Sequence, residues 1–120
     1  MNSNILKTIV KKIDPTAIIK IEGPFNDFQA KEISNIIDDL LSKRFIHFII
    51  NFEKSNELNS FGVSVLIDII KLIEDRNGKL LFTKVDSHLE KKFTSMGLMN
   101  YVSIFKDDKE ALSALIVDMK

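Results

Sequence analysis

The sequence has no cysteine, and its 120 residues include only four glycines and two histidines. Without cysteine there is no disulfide, thiolate metal site or cysteine nucleophile. The glycines, Gly23, Gly62, Gly78 and Gly97, are too scattered to form a phosphate-cradling loop of the P-loop or dinucleotide type. His47 and His88 lack the i, i+4 spacing of a helical zinc site. His47 reads as a hydrogen-bonded residue of an apolar strand, and His88 as an exposed helix residue. A nucleophile elbow needs glycine on both sides of its serine, whereas Gly62-Val63-Ser64-Val65-Leu66 has only the first. The adjacent pairs Asp38-Asp39 and Asp107-Asp108 diverge by about 100° on a helix and do not converge as catalytic carboxylates. The expectation is a protein without catalytic residues, metal or cofactor.

Net charge is missing too. Seventeen basic and seventeen acidic side chains cancel, so no long-range field favours nucleic acid or anionic lipid. No stretch approaches the roughly 18 uninterrupted apolar residues of a membrane span. The polar start Met1-Asn2-Ser3-Asn4 and the lysines after it do not form a signal-peptide core. These features predict one soluble, cytoplasmic domain with neither nucleic acid nor membrane as partner.

What is present alternates in period. Ile5 to Ile13 and Ala17 to Gly23 read as two strands joined at Asp14-Pro15-Thr16, an antiparallel hairpin with a lysine-rich edge. Ala17, Ile19 and Ile21 would face one side, and Ile18, Lys20 and Glu22 the other. Asn26 with Gln29 has capping-box spacing, and Ile33, Ile36, Ile37, Leu40 and Leu41 then form one helical stripe. Phe45 to Phe52 is nearly continuous apolar sequence, the pattern of a central strand covered on both faces. The polar segment 53–59 leads into an apolar helix from Phe61 to Arg76, for which Ser60 is the expected N-cap and Asn77-Gly78 the stop. On this helix Val63, Leu66, Ile67, Ile70 and Ile73 form the core-facing arc, with Phe61, Val65 and Leu72 at its border.

A strand over Lys79 to Lys84 follows, then a short helix boxed by Ser87 and Glu90 and stopped at Gly97. A last strand over Tyr101 to Phe105 precedes a helix opened by Asp107 and Glu110, with Leu112, Leu115, Ile116 and Met119 on its buried side. Strands alternating with helices predict an α/β fold with a mostly parallel sheet of four to five strands, an antiparallel N-terminal edge strand and about four helices.

The segment from Phe45 to Phe52, Asn59-Ser60-Phe61-Gly62, the helix Val63 to Arg76, Gly78 to Phe82 and Met96-Gly97-Leu98 resembles the STAS domain family, specifically the bacterial anti-sigma factor antagonists. The similarity runs over about residues 16–118 in family order and needs no gap through the signature. The resemblance implies a partner-switching protein. Its unmodified form would bind an anti-sigma factor that is also an ATP-dependent serine kinase, freeing a sigma factor. Phosphorylation, here at Ser60, would release that partner, and a serine phosphatase would reset the cycle. Glu53, Lys54, Glu57, Asn59, Phe61, Gly62, Val65 and Leu72 would join Ser60 in the partner-binding surface. Two positions depart from the family segment: Asn59 stands where an acid is usual, and Phe61 where a second small serine is common. A STAS binding or scaffold module without phosphorylation at this site is the alternative.

Overall fold

The computed structural model describes residues 7–118. Its first two strands, β1 (Lys7–Ile13) and β2 (Thr16–Glu22), pair antiparallel. Helix α1 (Asp27–Ser42) leads to β3 (His47–Lys54), α2 (Ser60–Glu74) to β4 (Leu80–Thr83), and α3 (Ser87–Ser95) with a 3-10 turn (Leu98–Asn100) to β5 (Ser103–Phe105). Helix α4 (Asp108–Asp118) ends the described chain. The five strands lie in the order β1-β2-β3-β4-β5, parallel from β2 onward, with β3 at the centre. This is the expected α/β architecture, including the antiparallel N-terminal edge.

Two rows of paired residues show how the period of two builds the core. Ile19, Ile50 and Phe82 sit side by side across β2, β3 and β4 and face the larger cluster, which α1, α2 and α3 cover. Their neighbours Ile18, Ile49 and Leu81 face the opposite side and meet Ala111 and Leu115 of α4. Each strand therefore contributes to two cores through alternate side chains. Under the larger core Phe52 lies at the centre of an aromatic group, 5.0 Å from Phe82, 5.5 Å from Phe93 and 6.3 Å from Phe25, with edge-to-face geometry in all three pairs. Such pairs add about 0.5–1.5 kcal/mol beyond burial.

His47 is buried, and its Nδ1 accepts the Lys79 amide at 3.1 Å, as a strand histidine should. Several boundaries differ from the sequence expectation. Asn26 holds the cap position of α1, but its side chain makes no capping bond. Asp86, not Ser87, caps α3, its Oδ1 accepting the Leu89 amide at 2.7 Å. The last strand begins at Ser103, because residues 98–100 are already wound into the 3-10 turn. Asn77 supplies the left-handed residue after α2 (φ 60°). Gly78 is needed for close approach instead, since a Cβ there would collide with the Ile46 carbonyl. Ile116, expected on the buried side of α4, is 60% exposed; among the described residues of that helix Ala111 and Leu115 are the ones fully buried in the small core. Met119 and Ile5 lie outside the described residues.

Candidate functional site

The polar segment after β3 is held by main-chain pairing before it reaches α2. The Gly23 amide donates to the Lys54 carbonyl at 3.0 Å, and the Phe25 amide to the Glu57 carbonyl at 2.8 Å. An isolated parallel bridge then joins Phe25 to Leu58. Ser55 is buried, its hydroxyl donating to the Gly23 carbonyl at 2.6 Å. From α3, the Lys92 ammonium donates to the Leu58 carbonyl at 3.1 Å. The segment is thus tied to β2, to the chain leading into α1 and to α3, and it delivers Asn59 in an extended conformation (φ −110°, ψ 178°).

That conformation makes Asn59 the cap. Its Oδ1 accepts the Gly62 amide at 2.8 Å and its carbonyl accepts the Val63 amide at 3.0 Å. Ser60, the expected cap, is instead the first helical residue and is exposed. The physical reason is local. Asparagine and serine are comparable caps, and only one of two neighbours can hold the extended dihedrals. The Phe25–Leu58 bridge keeps the chain extended up to Asn59. The consequence for chemistry is direct, because Ser60 is not needed as the cap and is an exposed residue at the positive end of the α2 dipole.

Gly62 lies within the first turn of α2 and is buried, with the Phe25 carbonyl where a Cβ would stand. This close approach brings the start of α2 down onto the aromatic group. No acidic side chain occupies the first turn of α2. Phe61, by contrast, turns outward and is 45% exposed beside Ser60. Glu53, Lys54 and Glu57 are exposed along the approach to α2. Ser64, one turn beyond Ser60, is exposed with its hydroxyl donating to the Phe61 carbonyl at 2.7 Å, an ordinary helix serine.

The structure does not bring all the expected surface residues together. Val65 is only 4% exposed and belongs to the larger core. Helix α2 packs on α1 as well as on the sheet, so its buried arc is wider than one sheet-facing stripe and also takes in Ile69. Leu72 is half-buried against the same core. It lies twelve residues from Ser60, about 18 Å along the helix, and does not share a patch with it. Asn59 and Phe61 flank Ser60 in the chain with Gly62 buried after them, and Glu53, Lys54 and Glu57 are exposed on the segment that leads to it, Glu53 and Lys54 lining a recess with Lys20 and Glu22.

Two elements of the site have no signal in the sequence read locally. Lys92 reaches Leu58 across 34 positions. At the ends of β3 and β4, Asp108 accepts from Asn51 Nδ2 at 3.0 and 3.1 Å and from the Thr83 hydroxyl at 2.6 Å. Asn51 Oδ1 accepts the Glu53 amide at 2.9 Å, which links this network to the start of the polar segment. Among the described residues, no cluster of histidine, aspartate or glutamate side chains has the arrangement of a metal site. Likewise, no helix among them is long and apolar enough to cross a membrane.

Comparison with known proteins agrees with this architecture. The family model of the STAS domain matches residues 7–111. Among solved structures, an anti-sigma factor antagonist from Mycobacterium paratuberculosis superposes with a TM-score of 0.81 at 15% identity, over 94% of this chain and 96% of its own. The anti-sigma factor antagonist SpoIIAA in its unphosphorylated form gives 0.79 at 18% identity, over 91% and 96%. The Bacillus cell fate determinant SpoIIAA in its phosphorylated form gives 0.72 at 18%, over 91% and 99%. At these identities the likeness concerns the fold.

Proposed function

Because the chain belongs to the STAS domain family, we propose that it is a phosphorylation-controlled anti-sigma factor antagonist, with Ser60 as the modified residue. Its partner is an anti-sigma factor serine kinase, which binds the ATP. The unmodified protein binds that partner and so frees a sigma factor, and a serine phosphatase returns the phosphorylated form to the unmodified one. The protein itself carries out no catalysis, and the cycle takes place in the cytoplasm.

One observation carries this reading: Ser60 stands exposed at the first position of α2 while Asn59 does the capping. A kinase needs a hydroxyl that can leave its local bonds, and removal of a cap would cost about 1 kcal/mol. Here modification leaves the cap intact. A phosphate adds roughly 1.5–2 negative charges, and a helix start with no acid of its own accommodates them through the dipole and the first-turn amides. The added charge therefore acts at the docking surface of Glu53, Lys54, Glu57 and Phe61 and leaves the fold in place. SpoIIAA, of similar fold, has been solved in both phosphorylated and unphosphorylated forms.

The test is incubation with an anti-sigma factor serine kinase and ATP. Mass spectrometry should find one added phosphate, and none on Ser60→Ala; labelling that persists in that variant sinks the site assignment. Ser60→Asp should weaken partner binding. A second reading is favoured by Phe61, a large ring exposed beside the hydroxyl: a STAS binding module that holds its partner without phosphorylation. Equal partner affinity of Ser60→Asp and wild type, combined with loss of binding in Phe61→Ala, would select it.

A further inference from the structure

On the face of the sheet away from Ser60, α4 leaves the β1–β2 side uncovered. A groove of about 440 Å³ runs there between α4 and the two strands. Its walls are aliphatic: Ile9 from β1, Ile18 from β2, and Leu112 and Ile116 from α4. Ile9 and Ile116 are 54% and 60% exposed, high values for side chains that lie beside an existing core. The register explains the grouping, since Ile9 is opposite Lys20, and Lys11 opposite Ile18, which puts all four on one face.

The rim is mainly basic, three lysines against one carboxylate. Lys11, Lys20 and Lys109 line the groove, are exposed, and make no ion pair among the described residues. The acidic residue beside them, Asp108, has its carboxylate engaged by Asn51 and Thr83. In a chain of zero formal net charge, three lysines around an aliphatic floor are a local feature and not a consequence of overall composition. The adjoining recess carries both signs, with Glu22 and Glu53 beside Lys20 and Lys54, so the basic excess is greatest at the groove itself.

We propose that this groove is a docking site for an acidic, amphipathic segment of another protein, its apolar side chains on Ile9, Ile18, Leu112 and Ile116 and its carboxylates on the three lysines. The chemistry of the groove argues against other occupants. A second copy of the chain meeting the same face would set lysines against lysines. The first six residues of the chain hold no acidic side chain to answer the rim. A nucleic-acid backbone would satisfy the amines but leave the aliphatic floor uncovered. Lysines on an edge strand discourage addition of a further strand, which favours a segment lying on the sheet face beside α4 in the helix-in-groove manner.

The probes are two capped 14-residue helical peptides with leucines at i, i+3, i+4 and i+7, one carrying glutamates beside the leucine stripe and the other lysines. Titrated into the full-length isotope-labelled protein, the glutamate peptide should shift the amide signals of Ile9, Lys11, Lys20, Lys109 and Ile116. It should bind at least tenfold tighter than the lysine peptide and weaken as salt rises. The variant Lys11→Glu/Lys109→Glu, altered only at exposed positions, should reverse the preference between the peptides, while Ser60→Ala should not change it. Equal binding of both peptides, no shift at millimolar peptide, or shifts centred on Ser60 would overturn the proposal. So would a dimer in sedimentation that Ile116→Glu dissociates, or binding to phosphatidylserine vesicles lost in the lysine variant.

Discussion

At the scale of single residues, the division of labour between Asn59 and Ser60 determines what the site can do. The amide oxygen of Asn59 satisfies the Gly62 amide, and the serine beside it is left exposed. Asn59→Ala should therefore lower stability by about 1 kcal/mol in urea denaturation, whereas Ser60→Ala should change it by less than about 0.5 kcal/mol. A result with the two costs exchanged would return the cap to Ser60. Asn59→Asp should keep the cap and gain about 0.3–1 kcal/mol from the helix dipole, so its effect on kinase recognition can be read without a folding defect. Gly62 is the opposite kind of position. Any Cβ meets the Phe25 carbonyl, a main-chain atom that cannot rotate away. Gly62→Ala should cost more than the roughly 1 kcal/mol that helix propensity would return, and its thermal midpoint should fall, not rise.

At the scale of elements, the sequence is most legible where one period dominates. The rows Ile18/Ile49/Leu81 and Ile19/Ile50/Phe82 follow from alternation in three apolar strands, and the α1 stripe from Ile33 to Leu41 follows from a period of 3.6. Legibility fails where two candidates are adjacent or where the answer lies far along the chain. Both α2 and α3 present a cap pair, Asn59-Ser60 and Asp86-Ser87, and in both the earlier residue takes the role. Nothing in the local pattern decides between neighbours; for α2 the bridge from Leu58 to Phe25 does. Val65 shows the same limit, since a border position on an isolated helix becomes core once α1 packs alongside. The Asn51–Thr83–Asp108 network joins residues 25 and 57 positions apart and leaves no periodic trace. It fastens the start of α4 to the ends of two parallel strands, with Asn51 and Thr83 both buried. Asp108→Ala would leave these two groups unpaired, and the expected loss is about 2–4 kcal/mol. The double variant Asn51→Ala/Asp108→Ala should cost less than the sum of the single changes, the mark of one shared network.

At the scale of the whole molecule, the two cores are unequal, and this inequality sets how the protein opens. The larger core packs the aliphatic faces of α1 and α2 on the sheet and joins α3 to it through the Phe52, Phe82 and Phe93 rings, while the smaller, among the described residues, rests on Ile18, Ile49, Leu81, Ala111 and Leu115. Stability in such an arrangement is not uniform, and the element with the fewest buried contacts opens first. Edge strand β1 buries no side chain fully, and among the helices α4 is held on the smaller core, through Ala111, Leu115 and Asp108 among the described residues, where α3 sets the larger Leu89 and Phe93 into the main core. Leu115→Ala should therefore raise hydrogen exchange mainly in α4, with the amides of β3 slowed almost as in wild type. Phe82→Ala, at a cost of about 3–5 kcal/mol, should raise exchange throughout the sheet and α2 together. The contrast bears on both surfaces. If α4 opens as a unit, the Leu115→Ala variant should lose the lysine-rimmed groove, whose walls include Leu112 and Ile116, before it loses the Ser60 site. Peptide binding at the groove should then fall several-fold while phosphorylation by the kinase stays within twofold of wild type. Loss of both activities in parallel would mean that the sheet and α4 open as a single unit, and that the small core contributes more to the fold than its five described buried residues suggest.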